Sequence, residues 1–386
     1  MDDPTTSGPA DRTGDRQQAD ARGSRRARRS RRRRRHASAA DSGLLSRRRV
    51  VVISATSLAL LTIAGAVGAW TAYSRLNDNI STVDIHTESG AGNPAPGRHD
   101  PMNILLIGSD SRDGSNARYG ATDSGARSDT TMLLHVAADR KSATVASIPR
   151  DTMVRLPSCP QPDGTSSKPQ LGMFNSAFSI GGAACTVKTV EAVSGLTVDH
   201  ALVVDFTGFK QIIDAIGGVP VTMDKAVKDP DSHLDLPAGT TVVDGEQALA
   251  FVRARHNLGD GSDIGRMSRQ QQFLDATLEK LADNGTLNDP AKLYKVLDAA
   301  TKSLTTDPAL GSLPALADFA SDVKQVPRQD ITYLTVPWQW YKPDPNRVQL
   351  APKAQDLFAS MRADTAVPPD VLALSANHGE QIEQSR

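Results

Sequence analysis

A chain of 386 residues is long enough for two or three domains, and 39% hydrophobic residues supplies a core, which excludes a wholly disordered protein. The formal net charge of zero hides an asymmetry: residues 1–49 carry 15 Arg against 6 Asp, whereas residues 50–386 hold 29 basic and 38 acidic groups. Two cysteines exclude a zinc ribbon or iron–sulfur cluster built from this chain alone, and 4% aromatics argues against a stacking surface for single-stranded nucleic acid.

Residues 1–49 read as a disordered basic cytoplasmic tail, because a stretch rich in Arg, Ser, Asp and Gly buries too little apolar surface to offset chain entropy. Residues 50–74 contain no charged side chain, and about 20 apolar residues suffice to cross a bilayer, so this stretch is a predicted transmembrane helix. The runs Arg31 to Arg35 and Arg47 to Arg49 precede it. By the positive-inside rule the N-terminus is cytoplasmic, and the chain is a single-pass protein of the cell membrane. Two alternatives compete: the basic tract as a nucleic-acid-binding or localisation signal, and the apolar run as a cleaved signal peptide, whose apolar part usually spans only about 7 to 15 residues. Residues 75–100, with SGAGNPAPGRHDP, read as a stalk linker; residues 101–364 as an extracytoplasmic catalytic domain; and residues 365–386 as a flexible C-terminal tail.

Beyond the stalk, short apolar runs alternate with helical patterns, which predicts an α/β fold: a central, mainly buried β-sheet flanked by helices in an αβα sandwich, preceded by the one transmembrane helix. Strands are expected at Asn103 to Ile107, Thr131 to Val136, Ala143 to Ile148, His200 to Phe206 and Ile331 to Val336. Phe209, Ile212, Ile213 and Ile216 recur at helical spacing and stop at Gly217-Gly218, and Val219-Pro220-Val221 starts another extended piece. Asp244, with Gln247 three residues on, predicts a capped helix over Gly245 to Arg253. Amphipathic helices follow through Met267 to Leu281, Leu293 to Leu297 and Leu313 to Val323. Cys159 and Cys185 bracket a loop rich in Pro, Gly and Ser on the oxidising side, which predicts a disulfide rather than a catalytic thiol.

The chain has no GxxxxGK[ST] loop, no GxGxxG after a strand, no GxSxG elbow and no HExxH. It offers instead arginine and aspartate at element ends: Asp110 and Arg112 after the first strand, Arg127 and Asp129 before the second, Arg150 and Asp151 after the third. Downstream, Arg253 and Arg255 close one helix, while Arg266, Arg269 and Gln270 open the next. Converging guanidiniums repel one another unless an anion lies between them, and arginine binds phosphate oxygens bidentately. Aspartates in such a site need an intervening cation, so Asp110 and Asp129 are candidate ligands for Mg²⁺, with Mn²⁺ as a substitute. Taken singly, each of these residues is better explained by an Arg–Asp bridge holding a loop, the more common case for any one pair.

In order, NILLIGSDSR, RSDTTMLLHV, SIPRDTMV, FNSAFSIGG, HALVVDFTGFKQIIDAIGGVPV, DGEQALAFVRAR and DIGRMSRQQQ closely resemble the LytR-CpsA-Psr family of bacterial envelope proteins, over roughly Met102 to Arg362. The resemblance implies a phosphotransferase that takes a glycopolymer from a polyprenyl-pyrophosphate carrier and joins it to peptidoglycan through a phosphodiester, with pyrophosphatase activity where water replaces the acceptor. It implies that Asp110 and Asp129 lie near Mg²⁺. It further implies that Arg112, Arg127, Arg150, Arg253, Arg255 and Arg266 grip the pyrophosphate with Gln270 beside them, Asp110, Asp129, Arg253 and Arg255 being catalytic. The expected partners are the lipid-linked glycopolymer, peptidoglycan and the bilayer, with no specific nucleic acid. Two rival functions are a membrane-bound transcriptional regulator, for which the basic head lacks a helix-turn-helix pattern, and a noncatalytic glycopolymer-binding scaffold, which has no need of the Asp and Arg series.

Overall fold

The computed structural model describes residues 20–86, 100–110, 127–161, 163–254, 263–282 and 289–376. The chain divides into two units, Met1–Tyr73 and Ser74–Arg386. A helix, α1, covers Asp20–Asp78. Its segment Arg49–Asp78 is long and apolar enough to cross a membrane, with a mean hydropathy of 2.3 over its most apolar stretch and none of that stretch buried against protein. Where the sequence predicts disorder, helix begins at Asp20; Ala and Arg are among the better helix formers, so low hydrophobicity does not by itself forbid this state. Residues 1–19 lie outside the described residues.

The second unit starts earlier than the predicted Pro101. Leu76 and Ile85 are buried, and β1 (Ser81–Thr82) joins the main sheet, so the residues before the Pro/Gly run belong to the folded body. The run itself, residues 87–99, lies outside the described residues. Next come β2 (Met102–Ser109), β3 (Ser128–Val136), β4 (Ala143–Ser147), the paired strands β5 (Met153–Leu156) and β6 (Gln170–Met173), helix α2 (Ser176–Ser194), β7 (His200–Asp205) and α3 (Phe206–Ala215). β8 (Val219–Met223) pairs with β11 (Gly239–Val243) around a smaller hairpin of β9 (Val227–Asp229) and β10 (Leu234–Leu236). The chain continues through α4 (Gly245–Arg253), α5 (Asp263–Ala282), α6 (Pro290–Ser303), β12 (Leu304–Thr306) and α7 (Leu313–Gln325). It closes with β13 (Ile331–Thr335), β14 (Trp338–Trp340), β15 (Val348–Leu350), α8 (Ala354–Arg362) and α9 (Pro369–Ala376).

Among the described residues, seven strands form a mixed sheet in the order β1-β12-β7-β2-β3-β4-β13. β2 lies parallel to β7 and antiparallel to β3, with Leu105 opposite Ala201 on one side and Leu133 on the other. Side chains alternate across the pleat. Leu105 and Ile107 pack into a core with Phe174 and with Val187 and Val190 of α2, Leu357 and Phe358 of α8, and Val371 of α9. Met102 and Ile104 face the opposite way, toward Val323 of α7 and Val326. Helices thus cover both faces, which is the expected αβα sandwich. α9 corrects the expectation of a flexible tail from residue 365: Val371 is wholly buried, and the Ser375 hydroxyl accepts the Thr335 N–H at 3.1 Å.

The predicted loop between the cysteines holds only in its first half. From Ser176 the chain is helical, kinked at Gly181 and Gly182, the latter at φ +62°. A paired glycine reads as a helix stop; here it bends the helix so that Cys185 reaches Cys159 in a disulfide with a Cα–Cα distance of 5.2 Å. A Cβ on Gly181 would lie 2.3 Å from the Pro160 carbonyl oxygen, so the close approach requires glycine.

Candidate functional site

Strand direction brings the chemistry together. β3 runs opposite to β2, so Ser109 at the end of β2 pairs with Ser128 at the start of β3, and Asp110 comes to lie against Arg127. The Asp110 N–H donates to the Arg127 carbonyl at 2.9 Å, and the Arg127 N–H donates back to the Asp110 carboxylate. β4 is antiparallel to β3 and returns the chain to the same edge, which delivers Arg150 and Asp151. Arg150 donates from Nη1 to Asp129 Oδ1 at 2.8 Å. The site therefore sits at the carboxyl end of β2, beside the point where its neighbours switch from antiparallel β3 to parallel β7, a recurrent place for a ligand crevice.

Two helix ends complete it. The capping box of Asp244 and Gln247 starts α4 as predicted, and the last turn of α4 carries Arg253, whose guanidinium lies 4.7 Å from the Phe206 ring centre. Arg266, in the first turn of α5, is only 4% exposed. Asp110, Arg127, Asp129, Arg150, Arg253 and Arg266 line one cleft of about 680 Å³. Arg112 and Arg255 lie outside the described residues. Gln270 is turned away from the cleft, its amide donating to the Val252 carbonyl at 3.1 Å, while Arg269 donates to the Ala254 carbonyl at 2.6 Å and holds the end of α4.

A second space opens from the same residues. Asp129, Arg253 and Arg266 also border an apolar slot of about 320 Å³. One wall is the sheet face, formed by Leu106, Met132, Leu202 and Val204; the other is Phe206 and Phe209 of α3 with Phe273 and Leu274 of α5. Gln270 lines this slot together with Arg253 and Arg266, and does not line the charged cleft. A charged cleft that continues into a hydrocarbon-lined slot suits an amphiphile with an anionic head.

Residues 72–362 match the LytR_cpsA_psr family. The chain belongs to this family. It is 28% identical over 316 residues to the cell wall biosynthesis protein LcpA of Corynebacterium glutamicum, a match covering 74% of this chain and 59% of LcpA, so it spans well under two thirds of that relative's length. It is 30% identical over 300 residues to TagT of Bacillus subtilis, named a polyisoprenyl-teichoic acid–peptidoglycan teichoic acid transferase, covering 74% of this chain and 86% of TagT. The LytR-Csp2A-Psr enzyme from Actinomyces oris has the same fold, with a TM-score of 0.54 at 22% identity over 73% of this chain and 95% of that one.

In this LytR_cpsA_psr chain the cleft also contains residues that the motifs do not mark. Asp229 and Asp231, from the β9–β10 hairpin, and Arg347, from the segment before β15, line it. Asp229 is 1% exposed and accepts the Asp231 N–H at 3.0 Å. Arg347 reaches Asp151 at 3.6 Å, and Arg150 reaches the same carboxylate at 3.6 Å, so Asp151 bridges two cations. Asn175, inside the FNSAFSIGG segment, is buried at the cleft with its side-chain oxygen unbonded among the described residues. The run DPDSH around Asp229 and Asp231 reads locally as an ordinary polar turn, and only tertiary packing brings it to the arginines. Among the described residues, five arginines and five aspartates line the cleft.

Proposed function

We propose that this protein is a membrane-anchored phosphotransferase, moving a glycopolymer from a polyprenyl-pyrophosphate carrier onto peptidoglycan as a phosphodiester. The observation that carries the reading is the sharing of Asp129, Arg253 and Arg266 between the charged cleft and the apolar slot. A polyprenyl pyrophosphate has this division of chemistry, hydrocarbon in the slot and phosphates among the guanidiniums. The transferase activity for which TagT is named supports the same reading.

In this arrangement Arg253 and Arg266, at the junction, hold the lipid-linked phosphate, and Arg127 and Arg150 hold the distal one. A sugar hydroxyl attacks the distal phosphorus. The bond from that phosphorus to the bridging oxygen breaks, polyprenyl monophosphate leaves, and the hydroxyl proton passes to solvent or to a nearby carboxylate. The arginines stabilise charge that develops on the leaving phosphate, so positioning and electrostatics supply the rate. Water in place of the sugar gives pyrophosphatase activity. Asp151, bridged to Arg150 and Arg347, positions these arginines.

Mg²⁺ is part of the proposal, and the donor set fits it. Asp110 and Asp129 are hard oxygen donors on one cleft, and Asp129 keeps its second oxygen out of the Arg150 bond. Among the described residues no group of three or more His, Cys, Asp or Glu could hold a metal alone, which suits an ion that takes one or two carboxylates plus phosphates and water. When bound, it neutralises charge on the phosphates. The test is release of lipid monophosphate from a geranylgeranyl-pyrophosphate-linked oligosaccharide by the purified full chain with Mg²⁺. Release that depends on the divalent ion is expected; binding without any turnover in the presence of acceptor would return the protein to the scaffold reading.

A further inference from the structure

The cleft has a second exit, away from the apolar slot. Met173 and Arg347 line both the cleft and a neighbouring groove of about 420 Å³. Its floor is the β5–β6 hairpin, with Leu156 and Leu171, and its far wall is Tyr341 and Asp344. The far wall is a tightly closed loop: the Tyr341 N–H donates to the Arg347 carbonyl, the Asp344 N–H to the Tyr341 carbonyl and the Arg347 N–H to the Asp344 carbonyl, each at 3.0 Å. Arg347 is fixed at the junction between Asp151 at 3.6 Å and Asp344 at 3.8 Å. The groove is therefore set before any ligand arrives.

Its chemistry differs from that of the slot. The slot is walled by phenylalanines and aliphatic side chains, whereas the groove mixes apolar surface with the phenol of Tyr341, the amide of Gln170, the carboxylate of Asp344 and the guanidinium of Arg347. Leu171 is 58% exposed at its rim, which leaves its side chain open to a ligand in the groove. A pyranose ring has the same duality, with a C–H face that packs on aromatic and aliphatic side chains and a rim of hydroxyls that bond to carboxylate, amide and guanidinium. A pyrophosphate that carries hydrocarbon at one end carries sugar at the other. The cleft likewise joins a hydrocarbon slot through Asp129, Arg253 and Arg266 and this groove through Met173 and Arg347, and among the described residues the two share no lining residue.

We propose that the groove is a carbohydrate subsite, with Tyr341 and Leu171 as its sugar-contacting walls, that seats hexopyranose units next to the phosphate undergoing transfer. This rests on the reading of the cleft as a lipid-pyrophosphate site. The sugars come from one of two sources, the donor glycan or the acceptor.

The test uses the full chain in detergent with three probes: geranylgeranyl pyrophosphate, the same lipid pyrophosphate carrying an N-acetylhexosamine disaccharide, and a soluble peptidoglycan-type amino-sugar oligomer. The expected result is that the disaccharide tightens binding of the lipid pyrophosphate at least tenfold, or that the oligomer binds measurably. Tyr341→Ala and Leu171→Ala, checked by thermal melting, should abolish that gain while leaving the Kd for the sugarless lipid within twofold. Loss of the disaccharide gain assigns the groove to the donor, and loss of oligomer binding alone assigns it to the acceptor. The proposal is overturned if the native chain gains nothing from sugar in either form, or if both folded variants keep the gain. Failure of the sugarless lipid to bind sinks the pyrophosphate reading instead, and the oligomer arm still decides the groove.

Discussion

Replacing Arg253 by alanine separates ligand binding from structural bridging. At least two structural terms are lost: the guanidinium lies 4.7 Å from the Phe206 ring centre, a contact that contributes about 0.5–1 kcal/mol at a partly exposed site, and a cation in the last turn of α4 adds about 0.3–1 kcal/mol with the helix dipole. Stability should therefore fall by about 1–2 kcal/mol, and at about 2–4 °C per kcal/mol for a unit of this size the melting temperature drops by a few degrees. Relief of arginine repulsion offsets little of this, because among the described residues each of the five arginines in the cleft is matched by an aspartate. The binding term is larger. A charge-assisted hydrogen bond to phosphate contributes about 1.5–3 kcal/mol, so affinity for geranylgeranyl pyrophosphate should weaken by about 10- to 150-fold. Arg253→Lys, which keeps the charge and loses the bidentate fork, should fall between the two. Thermal melting and calorimetric titration on the same preparations give both quantities. An alanine variant that loses more than about 4 kcal/mol, with its folded fraction binding the lipid as the native chain does, refutes the ligand role and makes Arg253 a structural bridge.

Other consequences follow from the same geometry. Asp129→Asn, which weakens the Arg150 pair and removes a hard anionic donor, should raise the Mg²⁺ concentration needed for half-maximal lipid monophosphate release; an unchanged metal dependence would remove Asp129 from the metal site. Thiol labelling of the denatured, unreduced protein should find no free thiol, and replacing both Cys159 and Cys185 by serine should cost about 3–4 kcal/mol in the chain-entropy estimate for a 26-residue separation. Leu274→Gln, in protein shown to be folded by thermal melting, should weaken binding of geranylgeranyl pyrophosphate while inorganic pyrophosphate binds as before, since partly buried Leu274 lines the slot and not the cleft. At the opposite end of the sheet, burial pushes the His135 imidazole below its ordinary range against the opposing bond and charge of Asp364. The unfolded chain then takes up the proton first, so stability is complete above about pH 6.5 and declines as pH falls toward the lowered folded value. His135→Gln should flatten that slope relative to the native chain, and an identical slope would assign it to other groups.

The sheet was legible from residue pattern because each of its central strands is a short β-branched or aliphatic run; β2, β3, β4, β7 and β13 fall within a few residues of the predicted bounds. α4 was legible to its cap, since Asp244 and Gln247 make a local motif whose two bonds form within four residues. α2 was not, because Gly181-Gly182 has the local signature of a helix stop and only the Cys159–Cys185 link explains why the chain bends and continues. The start of the outer unit was misplaced because β1, between buried Leu76 and Ile85, pairs with β12, more than two hundred residues away in sequence. Within the site, Asp110, Arg127, Asp129 and Arg150 announce themselves at strand ends. Asp229 and Arg347 reach the same cleft through a side hairpin and a late loop, with nothing in their neighbours to mark them. Arg269 and Gln270 share a motif with Arg266 but differ in direction, and helical rotation alone turns them to the carbonyls of α4 and its cap.

The central claim is that the charged cleft breaks a lipid pyrophosphate between its two phosphorus atoms and passes the distal phosphate, with its glycan, to a sugar hydroxyl. The most direct measurement is mass analysis of the products when the purified full chain acts on a geranylgeranyl-pyrophosphate-linked oligosaccharide, Mg²⁺ and a peptidoglycan oligomer. The expected products are geranylgeranyl monophosphate and an oligomer bearing the glycan through a single phosphate, both lost in Arg253→Ala and Arg266→Ala. Glycan joined to the oligomer without phosphorus, accompanied by release of intact geranylgeranyl pyrophosphate, would contradict the claim.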